Sequence, residues 1–139
     1  MPQFSYRVRK CLWVTVPSEL DVFCNQLSIE MGLPTFKFDA EYVYEWGIIK
    51  LEQGYVELNI SRKHNRGEPL PNEPVHILFL VEHTAPINYD AQWVSDNLIP
   101  DYGQTIANLT SQPTYFGDIH YIESNDYSYH PLYTYEPQL

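Results

Sequence analysis

The chain begins with a segment in which apolar and polar residues alternate. Apart from Lys10, the even positions that open this segment are apolar: Phe4, Tyr6, Val8, Leu12, Val14 and Val16. A period of two predicts a β-strand with one buried face. Because thirteen residues are many for one strand, we expect a bulge or turn near Arg9 and Lys10.

A helical pattern follows this strand. Ser18 is a favourable N-cap with Asp21 three residues later, and Gly32 followed by Pro34 is a typical helix end. Between these limits apolar residues recur at helical spacing: Leu20, Phe23, Cys24, Leu27 and Met31. The pattern therefore predicts a first helix that is capped by Ser18 and ends at Gly32.

Strand patterns return between residues 35 and 61. Positions 36 to 46 alternate, which predicts one half-buried strand or two short strands bent near Asp39 and Ala40. Gln53-Gly54 is a candidate hairpin turn, and the strand that follows it runs from Tyr55 to about Ser61. The turn sets a register in which three pairs face each other: Leu51 with Val56, Lys50 with Glu57, and Ile49 with Leu58.

The second half of the chain continues the mixed pattern. A proline-rich loop over 62–74 precedes an apolar run over 75–81, which predicts a central strand covered on both faces. A helical stripe spans 89–110 with Pro100 inside it, so we expect a kink or two helices meeting at Ile99-Pro100. Tyr115 to Ile122 predicts a last strand, with an interruption at Gly117-Asp118.

These elements predict an α+β fold in the order β-α-β-β-β-β-α-β. Local hairpins dominate, so we expect a mostly antiparallel sheet of about five to six strands with two helices on one face. Residues 1–123 form the predicted domain. Residues 124–139 form an acidic, tyrosine-rich tail that either packs on this domain or serves as a docking segment.

Charge is distributed very unevenly along the 139 residues. The net charge is −10, yet all eight Lys and Arg residues lie within positions 1–66, where eight acids balance them. Positions 67–139 contain ten acids and neither Lys nor Arg: Glu68, Glu73, Glu82, Asp90, Asp96, Asp101, Asp118, Glu123, Asp126 and Glu136. Such a balance disfavours direct binding to nucleic acid or to an anionic membrane and favours a basic protein as partner.

The residues that could support catalysis do not form a recognised motif. The five histidines and two cysteines lack zinc-ligand spacing, so we expect neither a metal nor another cofactor. Four carboxylates are the best enzymatic candidates: Asp39, Glu41 and Glu45, which we expect to share one face of a strand, and Glu57 on the neighbouring hairpin. His76 and His83 are further candidates for a pocket, and the basic run 62–66 either holds an anion or pairs with the acidic half of the chain.

We therefore expect a cytosolic, non-enzymatic inhibitor, such as an immunity protein or antitoxin that blocks a basic nuclease-type toxin. The expectation of a cytosolic location rests on an N-terminus without an apolar secretory core. The expected contacts combine acids with aromatic anchors: Glu82, Asp90, Asp96, Asp101, Asp118, Glu123, Asp126, Tyr127, Tyr129 and Tyr133. The alternatives are a small enzyme or small-molecule binder, and an assembly subunit that docks through its tail.

Overall fold

The N-terminal alternating segment forms β1, the strand from which the rest of the sheet extends in both directions. The computed structural model describes residues 6–41, 44–65, 68–69, 73–123 and 126–138, so Phe4 and Arg66 lie outside the described residues. The strands are β1 (Tyr6–Thr15), β2 (Lys37–Glu41), β3 (Tyr44–Leu51), β4 (Val56–Asn65), β5 (Glu68–Pro69), β6 (Pro74–Glu82), β7 (Thr114–Tyr121) and β8 (Tyr127–Tyr135). The helices are α1 (Leu20–Met31), α2 (Ala91–Asn97) and α3 (Ile99–Thr110).

Seven of these strands form one antiparallel sheet in the order β2-β3-β4-β6-β1-β7-β8, and the short β5 pairs with the end of β4. The α+β class and the antiparallel sheet are thus confirmed. The predicted count of five to six strands is too low. The segment 36–46 contains a hairpin of β2 and β3, and Tyr127–Tyr135 adds β8. The expected loop over 62–74 is shorter, because β4 continues to Asn65.

The predicted count of two helices is also wrong, because the stripe over 89–110 forms two. The α2 helix is followed by Leu98, and α3 has Pro100 in its first turn. The backbone N–H that proline lacks would have no partner within the helix at this position, so Pro100 costs no hydrogen bond. The junction at Ile99-Pro100 was one of the two outcomes that the sequence predicted. All three helices contribute buried residues to the same core, which covers one face of β1, β4 and β6. We call the opposite face of the sheet the open face.

The α1 helix begins differently from the prediction. Its N-cap is Glu19, whose side chain makes no capping hydrogen bond. The carbonyl of Ser18 instead accepts a 2.9 Å hydrogen bond from the Arg62 guanidinium, which also donates to the Val16 carbonyl at 3.2 Å. Arg62 is only 2% exposed, so this residue of the basic run is a structural tie between β4 and the start of α1. Gly32 ends the helix with a positive φ of 67°, as predicted.

The hairpin between β3 and β4 has the predicted register. Leu51 pairs with Val56, Lys50 with Glu57, and Ile49 with Leu58. The chain reverses through a short 3-10 turn over Glu52–Gly54, where Glu52, Gln53 and Gly54 all have positive φ. One face of the pair joins the core, and the other presents the Lys50–Glu57 ion pair on the open face. The position of the turn and the alternation of side chains together determine this register.

Candidate protein-binding surface

The β7–β8 hairpin carries most of the predicted contact residues, and it leaves the plane of the sheet. The β7 strand pairs with β1 only from Tyr115 to Gly117. Beyond this point the Ile119 carbonyl lies 3.4 Å from the Arg9 guanidinium, which donates to it. The pairing of β7 with β8 also shifts register between Phe116 and Gly117, close to the predicted interruption. The hairpin therefore folds across the open face.

One face of the hairpin is directed inward onto the open face. The Tyr127 hydroxyl lies 2.8 Å from that of Tyr44, and the Tyr129 hydroxyl lies 2.7 Å from Nε2 of His76. In a flat sheet β3 and β8 would be five strand spacings apart, about 24 Å, so the Tyr44–Tyr127 contact requires strong curvature. Burial raises the pKa of Tyr44 and Tyr129, the latter to about 12.

A small second core lies under the hairpin. It contains Cys11, Trp13 and Ile119, with Tyr127 and Tyr129 packed against it. The Trp13 and Tyr129 rings are 5.2 Å apart between centroids. Two of the three tyrosines that we expected to anchor a partner are thus half-buried within the chain. The sequence indicates this shared burial through their spacing, because two residues that are two positions apart in a strand, such as Tyr127 and Tyr129, lie on the same face.

The exposed residues of the hairpin combine acids with large apolar side chains and lie on both of its faces, since Tyr121 pairs with Tyr127 and shares its face. Asp118, Glu123 and Asp126 are all exposed, and four large apolar residues lie on the same hairpin. Their exposed fractions are 64% for Tyr121, 49% for Ile122, 70% for Leu132 and 59% for Tyr133. We call these seven residues the hairpin surface. Its strands extend about 24 Å along the hairpin axis.

Clustering distinguishes the hairpin surface from the rest of the described exterior. The other exposed large apolar residues there are fewer on each element, with Val22 and Ile29 on α1, Phe38 on β2, and Ile87 before α2. Isolated exposed apolar residues are normal, whereas a group on one element is typical of an interaction site. Asp126 has a weak partner in Lys63, 3.8 Å away, and remains 71% exposed. The arrangement can therefore offer both carboxylates and apolar area to a partner.

The remaining predicted acids lie elsewhere. Asp90 is the N-cap of α2 and accepts a 2.8 Å hydrogen bond from the backbone N–H of Trp93. Asp96 and Asp101 lie on α2 and α3, both exposed. Glu82 lies at the end of β6 and accepts a 2.8 Å bond from the Lys50 ammonium. The second-half acids therefore occupy at least three regions, and three of the seven predicted acids belong to the hairpin surface.

The four carboxylates of the enzymatic alternative do not converge. Glu45 pairs with Ala40 and lies on the helix side near Arg62, whereas Asp39 and Glu41 occupy the opposite face of the exposed edge strand β2. The expectation that these three share a strand face is wrong, because the chain reverses between them. Glu57 is two strands and four positions from Asp39 in the register, about 17 Å away, which exceeds the spacing of a glycosidase pair.

The cysteines and histidines show no assembled centre in the described residues. Burial raises the pKa of the Cys24 thiol to about 12 and that of Cys11 as well, which disfavours their thiolates. Burial lowers the pKa of His76 to about 4, so its ring is neutral near pH 7. No group of three or more potential metal ligands occurs within the described ranges.

Comparisons with known proteins give no family for this chain. No protein-family model, curated protein or solved structure matches it. Within the described part of the chain, each helix is too short or too polar to cross a bilayer. The class that the fold and surface define is an acidic α+β protein with an exposed acidic and aromatic hairpin.

Proposed function

We propose that this protein is a non-enzymatic binding protein that uses the hairpin surface to cover a basic protein. The observation that carries the proposal is the coincidence, on one hairpin, of three carboxylates and four exposed large apolar side chains. Carboxylates would meet Lys and Arg of the partner, and Tyr121 and Tyr133 would stack on guanidinium groups. An immunity protein or antitoxin that blocks a basic nuclease-type toxin is the leading member of this class.

The charge distribution supports fast and selective association. A net charge of −10 attracts a cationic partner over a range set by the Debye length, about 8 Å at physiological ionic strength. Steering of this kind raises the association rate more than the final affinity. The apolar side chains of Leu132 and Tyr133 would then hold the complex by burying area that the free protein exposes.

Inhibition of this kind needs no chemistry. A nuclease binds its polyanionic substrate with a cationic surface, so an acidic protein that occupies that surface excludes the substrate by charge and by volume. Asp96 and Asp101 on α2 and α3 offer a second acidic region for a large partner. Asp90 and Glu82 are already engaged within the chain, by the α2 backbone and by Lys50.

The test compares two triple charge reversals that change the net charge equally. The first reverses the hairpin surface: Asp118→Lys, Glu123→Lys and Asp126→Lys. The matched control reverses three exposed acids around α1: Glu19→Lys, Asp21→Lys and Glu30→Lys. Each set moves the net charge from −10 to −4, so any effect of total charge is common to both.

A basic partner is first captured from the host at low salt and at about 0.5 M salt, where screening is strong. Binding of both variants to the purified partner is then measured by calorimetry and stopped flow. We expect the hairpin triple to weaken binding at least about 100-fold, as for several disrupted charged contacts, and the α1 triple to weaken it a few-fold. Equal losses for both variants, or no basic partner in the capture, would contradict the proposal.

A further inference from the structure

A pocket on the open face has a different chemistry from the hairpin surface. Its volume is about 270 Å³, and its lining consists of Tyr44, Trp46, Asn59, Ser61 and Tyr127. The β3 and β4 strands supply the first four residues, and pairing of Trp46 with Ser61 places both at the same level of the sheet. Tyr127 closes one side through its 2.8 Å contact with the Tyr44 hydroxyl.

Several polar groups of this pocket lack a partner in the described part of the chain. Among the residues that the structure describes, the Ser61 hydroxyl and the Trp46 indole N–H make no hydrogen bond. The Asn59 amide nitrogen makes only a long 3.5 Å contact with Glu57, which leaves the Asn59 side-chain carbonyl without a partner in that part of the chain. A donor, an acceptor and a hydroxyl that can do both thus line one concave, aromatic surface.

The described residues that line the pocket are all uncharged, and charges of both signs lie beside them. The nearest cation along β4 is Lys63, whose ammonium lies 3.8 Å from the Asp126 carboxylate. Glu57 on the same strand accepts from the Tyr6 hydroxyl at 2.9 Å and from the Lys50 ammonium at 3.2 Å. Lys63 pairs with Tyr44, and Asp39 on β2 pairs with Trp46, so a cation and a carboxylate both flank the lining on the open face. A charged ligand of either sign would meet a like charge as well as an opposite one, so an uncharged ligand fits these surroundings best.

Size and shape narrow the class of ligand. Pockets for drug-sized molecules span about 300–1,000 Å³, so a volume just below this range suits one ring rather than several. A pyranose has a face of C–H groups and a rim of hydroxyls. Aromatic rings attract C–H groups to their negative faces, and each sugar hydroxyl can both donate and accept. The three aromatic rings and the Asn59, Ser61 and indole groups complement both features.

We propose that the pocket between Trp46, Asn59, Ser61 and the Tyr44–Tyr127 pair binds a neutral pyranose ring. This proposal is independent of the acids of the hairpin surface, none of which is among the described lining residues of the pocket. A single ring in an open site of this size predicts a dissociation constant on the order of 1 mM. Recognition would be by stacking on Trp46 with hydrogen bonds to Asn59 and Ser61.

The experiment titrates the full chain, labelled with ¹⁵N, with methyl β-D-glucopyranoside, methyl α-D-mannopyranoside and methyl β-D-galactopyranoside. The indole N–H signal of Trp46, assigned by its loss in Trp46→Phe, reports occupancy. Adenosine and uridine serve as uncharged planar comparators. We expect at least one glycoside to shift this signal with saturation, and to bind more tightly than either nucleoside.

Variants locate the site. Trp46→Phe reduces the stacking area, and Ser61→Ala removes only the hydroxyl. We expect each to weaken glycoside binding at least about fivefold, as for one lost contact of roughly 1 kcal/mol; glycoside shifts of backbone amides provide the readout in Trp46→Phe. Trp93→Phe on α2 is the matched control and leaves binding unchanged. Circular dichroism verifies folding, and Ser61→Ala keeps the test valid if Trp46→Phe unfolds.

Two results would overturn the proposal. The first is the absence of saturable shifts at Trp46 with all three glycosides. The second is a nucleoside that binds more tightly than every glycoside, which would assign the pocket to a planar base instead. Neither result bears on the charge-reversal experiment, because none of the substituted acids lines the pocket.

Discussion

At the scale of single residues, His76 shows how burial changes the chemistry of a side chain. The residue lies on β6 with its ring edge-on to Tyr127, at 4.7 Å between centroids, and its Nε2 contacts the Tyr129 hydroxyl. Burial, with a smaller contribution from the Arg9 cation, lowers the pKa of His76 from 6.5 to about 4. The folded protein therefore resists protonation at a pH where the unfolded chain accepts it.

This shift predicts a specific pH dependence. Between pH 6.5 and 4 the unfolded state binds more protons, so stability falls as the pH is lowered through this window. We expect a loss of about 2 kcal/mol in the free energy of unfolding between pH 7 and pH 5. Urea denaturation at the two pH values measures this loss of stability. We expect the His76→Gln variant to lack the loss and the His130→Gln variant, changed at an exposed position, to retain it. If the free energy of unfolding of His76→Gln falls with pH as steeply as that of the unmodified protein, other groups cause the pH dependence.

Gly117 allows the hairpin to fold over the sheet. A Cβ atom at this position would lie 2.1 Å from the His130 carbonyl oxygen and 2.9 Å from Cα of Pro131. Both neighbours are backbone atoms of β8, so the clash cannot be relieved by a rotamer change. Glycine is required here for close approach of two strands, since its φ lies outside the positive range.

Gly117→Ala should therefore destabilise the protein markedly. We expect a loss of about 1–3 kcal/mol, the usual cost of forcing extra volume into a packed site. Asp118→Ala, at the next and exposed position, is the control and should stay within about 0.5 kcal/mol. Thermal unfolding followed by circular dichroism compares the two. Equal midpoints for both variants would mean that β8 does not pair closely with Gly117.

At the scale of elements, the tyrosine contact between β3 and β8 attaches the hairpin to the sheet. A double-mutant cycle of Tyr44→Phe and Tyr127→Phe isolates the hydroxyl–hydroxyl interaction. We expect a coupling free energy of about 0.5–1.5 kcal/mol, because the 2.8 Å contact is partly buried. Urea denaturation of the four proteins measures this coupling.

A second cycle provides the control. Tyr89 lies near α2, edge-on to Trp93 and tilted against Tyr55, away from the Tyr44 hydroxyl. Tyr44→Phe and Tyr89→Phe should therefore be additive within about 0.5 kcal/mol. Coupling of similar size in both cycles would show a general effect of removing hydroxyls rather than a direct contact across the open face.

At the scale of the whole molecule, the C-terminal segment completes the sheet. Its residues cover the second core, and the Tyr135 ring lies against Gly103 of α3, where an added Cβ would come within 2.6 Å of it. Deletion of residues 124–139 would expose Trp13 and leave β7 as an unpaired edge. We expect the truncated chain to lose cooperative thermal unfolding and to aggregate.

Removing only residues 137–139 is the control for this truncation. This shorter deletion loses the hydrogen bond from the Gln138 backbone N–H to Asn108, which is exposed. The cost should be within about 1 kcal/mol. Light scattering and calorimetry compare both truncations. A folded, monomeric protein without residues 124–139 would contradict the structural role of β8 and favour a dispensable docking segment.

Much of the local structure can be predicted from the residues alone. Periodicity identifies α1, β1 and β6, and the Lys50–Glu57 pairing follows from alternation around a turn. Gly32 and Pro100 mark helix boundaries because their backbone preferences are intrinsic. Ser18 is the exception, since the buried Arg62 uses its carbonyl and the helix begins one residue later than a side-chain cap would require.

The candidate sites depend on contacts that sequence spacing does not encode. Tyr44 and Tyr127 are 83 positions apart, and His76 and Tyr129 are 53 apart, so only the curvature of the sheet brings them together. The same curvature turns one side of β8 inward and exposes the other. Consequently, the sequence indicated acids and tyrosines in the second half, but it did not separate anchors from core residues.

The sequence by itself determined the α+β class, the uneven charge and most element boundaries, because these depend on composition, short-range periodicity and backbone preferences. The tertiary structure decided that residues 127–135 are a strand, that three exposed acids and four exposed apolar side chains share one hairpin, and that an aromatic pocket lies opposite the helices. Strand order and sheet curvature arise from long-range packing, in which each contact depends on all the others.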